Sequence, residues 1–106
     1  AVVETHLARL HAFAAERGKP LLLSEVGYPA HAEAAMYPWD ETRDAPLDVS
    51  LQAELLAAFC QANEAHRGAY YVWNWFGPGG PRDGGYSLRG KPAAAVFEEC
   101  MARGEG

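Results

Sequence analysis

The run Lys19-Pro20-Leu21-Leu22-Leu23-Ser24-Glu25-Val26-Gly27-Tyr28 constrains this chain more than any other stretch. It is a short apolar segment fenced by Pro20 and Gly27, which reads as a strand. Consecutive leucines leave no alternating polar face, so the pattern suits a parallel strand buried on both sides. Such a strand should not end on a carboxylate unless the charge is placed there for a purpose, yet Glu25 stands at its tip and a Gly-Tyr-Pro turn follows at once.

The rest of the chain repeats the theme. Residues 2–17 place Val3, Leu7, Leu10 and Ala14 at helical spacing. Gly18 closes that helix and Pro20 forbids its return. Asp48 is a good N-cap for a second helix over 49–66, with Leu51, Leu55, Ala58, Phe59 and Ala62 as its apolar stripe and Gly68 as its end. A second strand, 69–75, runs through Tyr70-Tyr71-Val72-Trp73-Asn74-Trp75. Pro92 opens a last helix of about ten residues. Between the first strand and the second helix, residues 27–47 form a long connection, too aromatic for disorder and long enough to expect a function. No internal repeat appears beyond the two strand–helix units.

Strands alternating with helices imply parallel strands joined by right-handed crossovers. Two strands make a poor sheet, with faces and edges left to cover. The apolar runs therefore ask for neighbours. The opening residue is Ala1 and the first segment reads as helix interior, so the expectation is a chain cut from something longer.

Bulk properties narrow the partners. Nine Lys and Arg against fourteen Asp and Glu give a net charge of -5, with no basic stripe for nucleic acid. No run of about 18 apolar residues suggests a membrane span. Cys60 and Cys100 fall among apolar helix neighbours and read as two buried thiols. His6, His11, His31 and His66 show no metal-ligand pairing. The glycine-rich stretch 77–85 lacks the Lys-Ser/Thr ending of a phosphate loop.

Active sites of parallel β/α proteins gather at the carboxyl ends of the strands. Glu25 lies at that end, where a rigidly held carboxylate can serve as nucleophile or base; the structural alternative is a Glu paired with an Arg or a backbone N–H. Trp73 and Trp75, two apart, point to one side of their strand. Trp73 suits core packing, and Trp75, nearer the tip, suits stacking on a sugar ring. A strand-tip carboxylate beside such aromatics describes a sugar-cleaving site. That chemistry needs a second carboxyl, and Asp40 and Asp83, in loops on the correct face, are poor candidates for it.

Five segments taken in order carry a resemblance: Lys19-Pro20 through Glu25-Val26-Gly27-Tyr28-Pro29, Pro38-Trp39-Asp40, Trp73-Asn74-Trp75, Asp83-Gly84-Gly85-Tyr86-Ser87 and Gly90-Lys91-Pro92-Ala93. Together they resemble glycoside hydrolase family 113, the β-1,4-mannanases of a (β/α)8-barrel clan of retaining glycosidases. The resemblance implies an α/β fold that is part of a TIM barrel: helix, strand seven, helix, strand eight, helix. Residues 1–106 would be the C-terminal portion of one catalytic domain, the upstream strands being absent. It makes Glu25 the nucleophile and Trp75 the platform under the sugar, with Tyr28, Trp39 and Asp83 shaping the cleft. The implied substrate is an oligo- or polysaccharide, β-mannan or a related β-glycan, with no metal or organic cofactor. The acid/base of such enzymes would lie upstream of Ala1, so the isolated chain is expected to be nearly inactive. Two other readings stay open: a non-catalytic sugar-binding remnant using Trp39, Trp75 and Tyr28, and a small α/β domain that self-associates to cover its strand edges.

Overall fold

A computed structural model describes residues 2–104. Its elements follow in the order α1 (Val2–Glu16), β1 (Leu22–Val26), α2 (Val49–Glu64), β2 (Ala69–Val72) and α3 (Pro92–Gly104). The strands pair in parallel, Leu22 opposite Ala69 and Leu23 opposite Tyr70. The register then slips, so that Val26 faces Val72. A crossover helix joins two parallel neighbours, as the alternating pattern requires.

The caps follow the sequence. Asp48 accepts the Leu51 N–H at 2.9 Å, satisfying an otherwise orphaned donor at the start of α2. At the end of α1, the Lys19 N–H reaches the Ala14 carbonyl at 3.0 Å. The end of α2 differs from expectation, because Arg67 rather than Gly68 takes the left-handed conformation, with φ of 51°. Gly68 is required for another reason: a Cβ there would lie 2.7 Å from the His11 ring.

One face of the sheet carries the core. Leu23, Val26, Tyr70 and Val72 pack with Leu7 of α1, Leu56, Phe59 and Cys60 of α2, and Ala93 and Cys100 of α3. The opposite face is open: Leu22 is 55% exposed and Tyr71 66%. The strand expected to be buried on both faces is therefore covered on one, since the described residues place no element on the other. No described helix is long and apolar enough to cross a membrane.

Two sequence expectations need correction. The buried face of α2 is Gln52, Leu56, Phe59, Cys60, Ala62 and Asn63: it keeps Phe59 and Ala62 of the expected stripe, leaves Leu51 and Leu55 half-buried, and exposes Ala58. Polar residues occupy that face because both amides donate to backbone: Gln52 Nε2 to the Tyr28 carbonyl and Asn63 Nδ2 to the Gly68 carbonyl, each at 2.9 Å. Cys60 and Cys100 are not free thiols but one disulfide, tying α2 to α3 across 40 positions. His11 and His66, which show no metal-ligand pairing in the sequence, stack with ring centroids 4.3 Å apart.

Candidate active site

Glu25 precedes the last residue of β1, and the Trp73 N–H donates to the Val26 carbonyl at 2.7 Å, just beyond the end of β2. The register slip between Leu23 and Val26 thus sets the carboxylate and the indole at the same end of the sheet. Gly27 makes the approach feasible, since a Cβ there would lie 2.2 Å from the Trp73 carbonyl oxygen. A cis peptide joins Trp73 to Asn74. The second strand stops at Val72 rather than continuing to Trp75, so Trp73 and Trp75 do not share a strand face.

An open cleft of about 380 Å³ lies here, lined by Glu25, Gly27, Pro38, Trp39, Trp73 and Tyr86. A larger hollow, about 460 Å³, lies at the amino ends of the strands, lined by Leu22, Tyr71, Met101 and the disulfide among others. We assign the site to the smaller one, because only it combines a strand-tip carboxylate with exposed indoles. The Glu25 side chain is exposed, and no hydrogen bond or ion pair reaches its carboxylate among the described residues. Trp39 is 72% exposed and Trp73 41%, so both offer flat apolar faces to the cleft.

The aromatic loop 27–47 is built rather than slack. An antiparallel bridge pairs His31 with Leu47, and the Asp48 N–H reaches the Ala30 carbonyl at 2.8 Å. The glycine-rich segment opposite is laced by Arg89, whose guanidinium donates to the carbonyls of Gly77 and Pro78. Gln52 sits beneath both segments, donating to Tyr28 O, with Tyr86 O also at 3.3 Å.

The expected site residues separate into two groups. Glu25 and Trp39 line the cleft together. Trp75 is exposed but lies outside that lining, Tyr28 is half-buried against the core, and Asp83 accepts the Gly85 N–H at 3.0 Å and pairs with buried Lys91 at 3.4 Å. Trp73 and Tyr86 line the cleft without having been singled out for it. The strand's early end was the missing signal for Trp73, and a loop contact across 48 positions for Tyr86.

Neither loop aspartate suits proton donation. Hydrogen bonds from the Thr42 side chain and N–H, with smaller help from Arg43 and His31, outweigh desolvation and hold Asp40 below its ordinary range. Burial opposes the charge on Asp83, but the Gly85 N–H and Lys91 prevail and hold its pKa low as well. Both carboxyls are therefore ionised at neutral pH. Among the described residues no group of three or more His, Cys, Asp or Glu could hold a metal ion.

The fold matches one stretch of solved GH113 mannanase structures. Solved structures similar to this chain include a GH113 β-1,4-mannanase in a complex, with TM-score 0.84 and 19% identity, covering 98% of this chain. A second GH113 β-1,4-mannanase structure gives TM-score 0.83, 20% identity and the same coverage. The GH113 β-mannanase AaManA from Alicyclobacillus acidocaldarius, in complex with ManMIm, gives TM-score 0.75 and 27% identity over 94% of this chain. The chain spans about a third of the length of each of these proteins: 35%, 35% and 34%. No protein-family model matches the sequence, and no curated protein does.

Proposed function

We propose that residues 1–106 are the C-terminal portion of a retaining (β/α)8-barrel glycosidase, that β1 and β2 are its seventh and eighth strands, and that it cleaves β-1,4-mannan or a related β-glycan. The observation that carries this reading is Glu25: a carboxylate without a hydrogen-bonding or ionic partner among the described residues, at a strand tip, in a cleft with Trp39 and Trp73. Glu25 attacks the anomeric carbon, the glycosidic bond breaks, and a covalent glycosyl-enzyme forms; water then releases the sugar. Trp39 and Trp73 flank the sugar, Trp75 extends the apolar platform, and Tyr28 and Asp83 shape the cleft through the loops they hold. The chemistry needs no cofactor.

The leaving oxygen needs a proton from a second carboxyl, about 5 to 5.5 Å from the nucleophile in retaining enzymes. Asp40 and Asp83 are held ionised, which favours an acid supplied from outside this chain. The 106 residues alone should therefore bind mannotetraose but not turn it over. The intact mass of the protein as its source makes it comes first: a mass near 11.5 kDa removes the barrel reading. On a larger parent, Glu25→Gln should abolish release of mannobiose from mannotetraose while leaving binding within a few-fold. Retained turnover by that variant refutes the nucleophile assignment.

The lack of a suitable loop acid favours one second reading, a sugar-binding remnant. In that case Glu25→Gln keeps the affinity, and no larger parent shows turnover.

A further inference from the structure

Trp39 lies in the middle of the connection 27–47, yet its backbone is tied on both sides. The peptide carbonyl before it, that of Pro38, accepts the Tyr86 hydroxyl at 2.6 Å. The carbonyl after it, that of Asp40, lies 2.7 Å from His31 Nε2. A carbonyl can only accept, so Nε2 carries the proton. His31 Nδ1 in turn accepts the Glu33 N–H at 3.2 Å, which fixes the same tautomer. His31 is buried at the bridge that closes the loop, so its ring has little freedom. Tyr86 comes from the opposite loop and lines the cleft itself. Burial, with Glu41 and Asp40 nearby, raises the pKa of its phenol and keeps it a donor.

The side chain is steadied as well. The Tyr37 ring meets the Trp39 indole edge-on at 5.6 Å, and the Arg43 guanidinium lies 3.4 Å over the other aromatic, Tyr37. An indole exposed this far on an untethered loop would have to be ordered at each binding event, at the expense of affinity. Here the ordering is built into the fold.

We propose that His31 and Tyr86 are positioning residues that clamp the Trp39 backbone from both sides and so fix its indole at the cleft mouth. The inference rests on the saccharide-cleft reading for its purpose, though the clamp can be tested apart from it. The consequence is that these two residues set affinity through Trp39 without touching the sugar's reacting atoms.

The test uses fluorotryptophan-labelled protein, with the Trp39 fluorine resonance identified by its loss in Trp39→Phe. Mannotetraose is titrated in parallel. Tyr86→Phe should shift and narrow the Trp39 resonance, leave that of Trp75 in place, and weaken mannotetraose about fivefold, as loss of one hydrogen bond implies. His31→Gln, which keeps a donor, should lose less than His31→Ala. An unmoved resonance overturns the clamp whatever the affinity does, and a moved resonance with unchanged affinity overturns its role in binding. If the unmodified protein does not bind mannotetraose, the saccharide reading falls and the resonance alone decides the clamp. If His31→Ala does not fold, Tyr86→Phe, lacking only a hydroxyl, decides.

Discussion

Breaking the Cys60–Cys100 bond should cost this fold much of its stability. The bond closes a loop with a sequence separation of 40 residues and joins α2 to α3, two of the helices that pack on the core face of the sheet. The chain-entropy treatment of a loop that size gives about 4 kcal/mol at 25 °C, removed from the unfolded ensemble. A small domain's whole stability is only about 5–15 kcal/mol. The comparison is urea unfolding of the oxidised chain against the chain held reduced, with the Cys60→Ala/Cys100→Ala pair as a check free of thiols. At a slope of about 2 kcal/mol per M, the midpoint should fall by about 2 M. Two results would refute the reasoning. One is coincident midpoints for oxidised and reduced protein. The other is a thiol reagent titrating both cysteines in denatured, unreduced protein, which would show that no bond exists.

Three further outcomes follow from particular contacts. Gln52→Leu leaves the Tyr28 carbonyl buried without its donor and should cost about 1–3 kcal/mol, read by urea unfolding; a loss under about 0.5 kcal/mol rejects the strut role. Gly27→Ala drives a Cβ into the Trp73 carbonyl, so the strands must part beside Glu25; about 1–3 kcal/mol should be lost, with Trp73 fluorescence changed, and an unperturbed spectrum counts against the close approach. Burial and neighbouring His66 push His11 below its ordinary 6.5, against a weaker opposing effect of Asn63. The folded chain then takes up this proton less readily than the unfolded one, so stability is full above about pH 6.5 and declines as pH falls below it. His11→Gln should flatten the melting temperature between about pH 7.5 and pH 5, and an unchanged slope excludes His11 as the cause.

What the sequence revealed and what it hid divide along one line: the range of the interaction. Element order, the Asp48 cap and the strand-tip place of Glu25 follow from neighbours within a few residues, and all are present. The early end of β2 was not legible, because the Tyr-Tyr-Val-Trp pattern favours extension through Trp75, whereas the chain leaves the sheet after Val72. Where the strand ends, Gly27 passes close against Trp73, a contact between distant segments that local propensity does not encode. The cysteine pairing was equally hidden, since two apolar-flanked cysteines look alike whether free or bonded until α2 and α3 are set side by side.

The turn of α2 that brings Gln52 and Asn63 inward explains why an apolar pattern misjudged its buried face. Each inward amide carries a backbone partner that the sequence cannot display, a carbonyl in a loop packed against the helix. A hydrophobic residue in either place would add apolar area but strand that carbonyl, and the penalty for an unpartnered buried carbonyl matches or exceeds the gain. The same logic governs the cleft. Trp39 and Trp73 are costly to expose to water, and among the described residues Glu25 gains no hydrogen bond or ion pair where it stands. Gln52 fastens the loops beneath these three, and His31 and Tyr86 hold Trp39 from either side. Local stability is thus invested in the support and withheld from the exposed cleft surface, the distribution that a binding geometry set in advance of a ligand would require.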